Sequence, residues 1–195
     1  MIDKKNLYGI MITLLGGVLW GVSGVCGQYL FENQGVTANW LVPIRLTGAG
    51  IIVLLYCLFK DRRGALKVWR DRRNIIDLII FSMAGMMFCQ YTYFVTVELS
   101  NAGTATVLQY ISPVIIMIIV CFSEKRFPKG VEIVAILCAL TGVFLLATHG
   151  NINELIISKK ALIIGLLSSL SVVVYNIQPK RLMKQFDSSM LLGWA

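Results

Sequence analysis

One side chain in this sequence stands apart chemically. Arg45 places a permanent cation inside the apolar run from Trp40 to Phe59. On insertion scales a charge at the centre of a membrane helix costs about 2.5 to 3.5 kcal/mol, so something must offset it. Three arrangements would do so. The guanidinium can face a central cavity and bind the carboxylate of a small-molecule substrate, pair with Glu98 or a helix end, or snorkel to the interface near Trp40, about 7 to 8 Å of helix rise away. Further polar groups, Gln90, Tyr91, Tyr93, Asn101, Gln109 and Tyr110, lie in the next long apolar stretch and need water or partners there. A wet cavity would serve them, as would hydrogen bonds between helices. Ser168, Ser171, Tyr175 and Asn176 form a second polar stripe at helical spacing. Trp20 can line the same cavity or touch lipid. The expected substrate-binding set is therefore Trp20, Arg45, Gln90, Tyr93, Gln109 and Asn176.

The same inventory argues against catalysis. An enzyme needs convergent acid, base, nucleophile or metal groups, and the single histidine, His149, stands at a helix end with no intramembrane aspartate pair. The five cysteines, at 26, 57, 89, 121 and 138, lie in apolar runs without a close pair, and read as small buried hydrophobes. No cofactor or metal is implied.

These residues must be positioned by membrane helices. With 57% hydrophobic and 14% charged residues and a mean hydropathy of +0.76, the 195-residue chain cannot present a soluble surface. Its charges gather in islands between uncharged runs. Asn6 to Phe31 carries no charge, exceeds the roughly 20 residues a span needs, and is too long for a signal-peptide core, so it is a retained first helix. A second span covers Trp40 to Phe59, with Pro43 near its first turn. Leu78 to Ser123 contains one charge, Glu98, and beside it Ser100, Asn101 and Gly103 supply a turn that divides it into helices three and four. Pro113 should perturb helix four. Helix five covers 131–148, helix six 161–178, and a seventh begins near Ser189. Only a few residues of that seventh run precede Ala195, so the sequence is expected to be incomplete.

Orientation follows from the basic residues of the short loops. Two precede helix one, seven lie in 60–74, three in 123–130 and three in 178–187, all on one side, against Lys159 and Lys160 on the other. This predicts a cytoplasmic N-terminus. It also explains the net charge of +8 without a nucleic-acid partner, because the basic residues flank apolar segments. Glu124, Lys125, Arg126 and the island Lys60 to Arg73 read as topology signals. On helix one, Gly17, Gly21, Gly24 and Gln28 share a face suited to close helix packing.

A shift of 152 residues sets Leu14, Leu15, Gly16 and Gly17 over Leu166, Leu167, Ser168 and Ser169, and Tyr29 and Leu30 over Arg181 and Leu182. Five helices per unit place the second unit in the opposite orientation, the inverted-repeat plan of many secondary transporters. Residues 1–150 would form the first repeat and 151–195 the start of the second.

The ordered motifs resemble the EamA family of the drug/metabolite transporter superfamily. Helix one carries Gly17, Trp20 and Gly21, and helix two carries Pro43 and Arg45. Tyr93 to Leu108 followed by Tyr110, Ser112 and Pro113 is similar to the family's helix, tight turn and proline-bearing fourth helix. Ser123 to Arg126 and Ala135 to Leu146 match its later segments. The resemblance implies an all-α polytopic bundle with an inverted 5+5 repeat, truncated here in its second half. It also implies export of small polar metabolites, amino-acid-related compounds among them, coupled to a proton or sodium gradient. The other readings are a membrane-embedded enzyme or assembly factor, and a half-transporter that is inactive or forms a homodimer if the short chain is complete.

Overall fold

The computed structural model describes residues 4–148 and 157–195, and among these every regular element is helical. The first uncharged run forms α1 (Lys4–Gln34), and α2 (Ala38–Lys60) follows after three residues. That reversal depends on Gly35, whose φ of +63° lies in the left-handed region that side chains disfavour. α3 (Arg62–Lys67) and a 3-10 turn (Val68–Arg70) carry the basic island to α4 (Arg72–Ile80). α4 runs through a π-helical segment (Phe81–Met87) into α5 (Phe88–Leu99), and together they make one span of 28 residues. It starts six residues before the expected Leu78, because the Asp71 side chain caps the helix by accepting the Arg73 N–H.

α6 (Ala102–Gln109) and α7 (Ser112–Ser123) form the next span, interrupted at Tyr110 and Ile111. Pro113 is the cause, since it has no N–H for the Gln109 carbonyl and its ring crowds that oxygen. The Ile111 N–H turns back to the Leu108 carbonyl at 3.2 Å, and the helix restarts at Ser112. At the turn before it, Asn101 accepts from the Thr104 N–H at 2.8 Å, the local chemistry expected of that loop. α8 (Gly130–Thr148) is apolar over Gly130–Leu145, shorter than the other spans. α9 (Lys159–Ile177), α10 (Lys180–Met183) and α11 (Ser188–Trp194) complete the described chain. Among the described residues five helices are long and apolar enough to cross a membrane.

α9 sits centrally, against α5, α6, α7 and the π-helical segment. Lipid tails are as apolar as leucine, so helices in a bilayer associate by close van der Waals approach at small residues rather than by hydrophobic drive. Gly165 on α9 lies so close to Leu108 that a Cβ there would collide with its side chain, and a Cβ on Gly85 would come within 3.3 Å of the Tyr175 Cα. On α1, Gly24 and Gly27 face Tyr93 and Phe94 in the same way. A Cβ added at Gly17 or Gly21 would meet nothing within 4 Å, so the packing face expected along helix one is confined to its end near Gln28.

Substituting alanine for Gly165 should lower the melting temperature in detergent, because Leu108 is fully buried and overpacking of this kind typically costs about 1 to 3 kcal/mol. Gly17→Ala should melt at or above the wild-type temperature. Equal losses in both variants would show that the α6–α9 contact is not tight.

Candidate functional site

At the loop end holding residues 35–37 and 100–101, two hairpin turns cap one another. Glu98 of α5 accepts the Ala38 N–H at 2.9 Å, and Gln28 of α1 accepts the Ala102 N–H at 2.9 Å. Each side chain thus serves an N–H at the start of a neighbouring helix, donors that have no intrahelical partner. Glu98 is committed to α2 in this way and does not pair with Arg45.

The Arg45 guanidinium instead lies over the Phe94 ring, 4.7 Å from its centroid. Phe94 is 1% exposed and holds its position through edge-on contacts with Phe31 and Tyr93. Arg45 itself is half-buried, and among the described residues it has no ion-pair partner. A cation–π contact is worth roughly 0.5 to 2 kcal/mol, less than the about 2.5 to 3.5 kcal/mol cost of central insertion. Among the described residues the guanidinium makes no hydrogen bond, which leaves its N–H groups open to water or an anion.

The other expected site residues fall into two groups. Tyr93 and Gln109 are buried and engaged. The Tyr93 hydroxyl is 3.1 Å from that of Thr106, while the Gln109 amide donates to Ser168 Oγ at 2.9 Å and lies 3.6 Å from Cys89 Sγ. Ser168 and Ser171, from the polar stripe on α9, are likewise packed inside the bundle. Trp20, Gln90 and Asn176 are more open. Asn176 donates to the Val172 carbonyl of its own helix at 2.8 Å, on an exposed face of α9. Gln90 is half-buried and makes no side-chain hydrogen bond among the described residues. Trp20 is 48% exposed. Gly24 abuts Tyr93, and Trp20 and Gln90 stand about one turn below these two residues on α1 and α5. Among the described residues no hydrogen bond, ion pair or ring contact joins Trp20, Gln90 or Asn176 to Arg45, whose partner is Phe94.

A cleft of about 610 Å³ opens on the other side of α2, between that helix, the π-helical segment, α5 and α11. Its walls are mainly apolar, with Asn39, Thr47, Tyr91 and Trp194 among the lining residues. Tyr91 donates to Asn39 Oδ1 at 2.7 Å across it. Pro43, Leu46 and Thr47 line the cleft, while Arg45 between them turns toward Phe94.

At the opposite end of the bundle, a polar cluster that sequence reading missed joins α4 to the chain after α9. Arg181 contacts Asp77 Oδ2 at 2.6 Å and donates to Asn74 Oδ1 at 2.8 Å, and Gln178 donates to the Asp77 carbonyl at 2.8 Å. The basic island gave the only hint of it, and read as a topology signal. Arg126, in the loop before α8, binds Glu132 at 2.8 Å and Glu124 at 2.6 Å. Glu132 above all, then Glu124, hold its guanidinium further toward the charged form than usual. That loop is thus clasped as well as charged.

No group of three or more metal-ligating side chains occurs among the described residues, and His149 lies outside them. Of the five free cysteines, Cys89 and Cys121 are buried as expected and Cys57 is partly so, but Cys26 and Cys138 are exposed on apolar helix faces.

Helices of this length and apolarity, crossed by polar groups and one intramembrane cation, define a multi-pass α-helical membrane protein. Residues 7–148 match the model of the EamA-like transporter family, and the chain belongs to that family. It is 38% identical, over 187 residues, to a Salmonella typhimurium (strain LT2) protein named "Uncharacterized inner membrane transporter YicL". The match covers 96% of this chain and 62% of the relative, so the chain spans less than two thirds of that protein. No solved structure matches it significantly.

The Asp77–Arg181 pair should behave as a coupled unit. In a double-mutant cycle with Asp77→Asn and Arg181→Gln, the unfolding free energies in detergent should deviate from additivity by about 0.5 to 3 kcal/mol. Additive effects would mean that the contact contributes nothing to holding α4 against the α9–α10 junction.

Proposed function

We propose that this chain serves in a secondary transporter that exports small polar metabolites bearing a carboxylate, such as amino-acid-related compounds. Membership of a transporter family, rather than of any enzyme class, favours this reading. The observation that carries the substrate class is Arg45. It is an intramembrane guanidinium held against a buried ring, without a carboxylate partner among the described residues.

In this reading the substrate carboxylate meets Arg45, Gln90 supplies hydrogen bonds and Trp20 an apolar wall. Tyr93 and Gln109 hold α5 and α6 in position around the substrate. Asn176 contributes when the second repeat moves. Access alternates as residues 1–150 and the repeat beginning at 151 rock against each other, driven by a proton or sodium gradient. The positive-inside count supports a cytoplasmic N-terminus.

Arg45→Ala should abolish substrate-dependent flux in proteoliposomes while leaving the amount of membrane-inserted protein unchanged. Undiminished flux would reduce Arg45 to an interfacial, snorkelling residue. If wild-type protein carried no flux but turned over a lipid, an enzyme would replace the transporter reading. For topology, a single-cysteine variant carrying Leu66→Cys should react with a membrane-impermeant maleimide only from the cytoplasmic side. Labelling from outside would invert the orientation.

A further inference from the structure

We propose that the cleft between the Lys60 end of α2 and the α10–α11 turn binds the headgroup of an anionic phospholipid. The cleft has a volume of about 290 Å³, and its walls include Tyr56, Lys60, Lys67 and Phe186. Both lysines are exposed, and neither has an ion-pair partner among the described residues. Two carboxylates, Asp61 and Asp187, also line it. Each is turned onto the start of its own helix: Asp61 accepts the Gly64 N–H at 3.0 Å and Asp187 the Ser189 N–H at 2.8 Å. The two carboxylates balance the two ammonium groups within the cleft itself, and the positive excess comes from the surrounding island, where residues 60–73 carry seven basic and two acidic side chains.

The surroundings select a lipid over a free anion. Phe59, 89% exposed, and Tyr56 present an apolar surface on the last turns of α2 where acyl chains would lie. α3 and the 3-10 turn after it are amphipathic. Ala65 and Val68 are buried, while Leu66 and Trp69 are exposed beside Lys67 and Arg70. Trp69 meets Trp194 edge-on at 5.1 Å, and the Trp194 indole donates to the Ala65 carbonyl at 2.9 Å, so the segment is fixed across the end of the span. Such a segment suits the level of lipid headgroups, where Lys and Arg are attracted to anionic lipid. A zwitterionic headgroup brings no net charge to this basic end of the bundle. Because one wall belongs to α2–α3 and the other to α10–α11, a bound lipid touches both parts of the chain.

The test is native mass spectrometry of the purified chain, delipidated and titrated with phosphatidylglycerol or phosphatidylcholine, which needs no transport assay. Phosphatidylglycerol should bind one molecule more tightly than phosphatidylcholine. Lys60→Gln with Lys67→Gln should weaken that binding on the order of tenfold or more. Lys159→Gln with Lys160→Gln, which removes the same charge elsewhere, should leave it unchanged, and circular dichroism should show both variants folded. Equal binding of the two lipids, or equal losses in the two variants, would overturn the site. Displacement of phosphatidylglycerol by equimolar glycerol phosphate would overturn it too, as the sign of a phosphate site that ignores the acyl chains.

Discussion

A bilayer offers no water to a backbone N–H or C=O, and this scarcity of partners shapes the molecule more than any other constraint. An intact helix meets it by itself, so the difficult places are the ends and the breaks. At the turns before α2 and α6 the chain recruits Glu98 for the start of α2 and Gln28 for the start of α6, each reaching across to a neighbouring hairpin. Within the spans, threonine hydroxyls on α5 turn back onto their own helix, Thr92 to Phe88 and Thr96 to Thr92, both at 2.8 Å. At Pro113 the ladder tightens for one turn before resuming.

Because the same hydrocarbon gives helices no hydrophobic reason to associate, cohesion rests on contact area at small residues. This explains the uneven packing of the described chain. α9 sits deep among its neighbours through Gly165 and the Gly85–Tyr175 approach, reinforced by the stacking of Phe81 on Tyr175 with centroids 5.5 Å apart. α1 touches α5 and α6 only near Gly24 and Gly27, and leaves the rest of its apolar surface open. The π-helical segment faces α9 at the Phe81–Tyr175 contact, and a wide turn of this kind commonly marks a functional element in an otherwise regular helix.

The spans were legible in the sequence because crossing a bilayer imposes a length and a hydropathy that few other constraints mimic. Local caps were partly legible for a similar reason: Asn101 stands three residues before the N–H it accepts. What could not be read were contacts between residues far apart in the chain. Gln109 with Ser168, and Asp77 with Arg181, depend on how α9 is placed, and nothing in either neighbourhood specifies it. The glycines of α1 show the limit of periodicity. Gly17, Gly21 and Gly24 share a face, but only Gly24, joined by Gly27 from the next face, meets another helix, since nothing among the described residues comes within 4 Å of a Cβ at Gly17 or Gly21.

Arg45 joins these threads. Its placement over Phe94 rather than beside Glu98 follows from the capping requirement, since the carboxylate that could have neutralised it is held by the start of α2. The residue that completes the hairpin thereby leaves a cation incompletely compensated within the membrane, and the ring beneath it fixes the guanidinium without neutralising it. A substrate carboxylate would supply both the missing charge and the remaining hydrogen-bond acceptors, at a point bordered by α1, α2 and α5. In the proposed reading, a bound carboxylate would favour whichever arrangement of these helices brings it closest to Arg45.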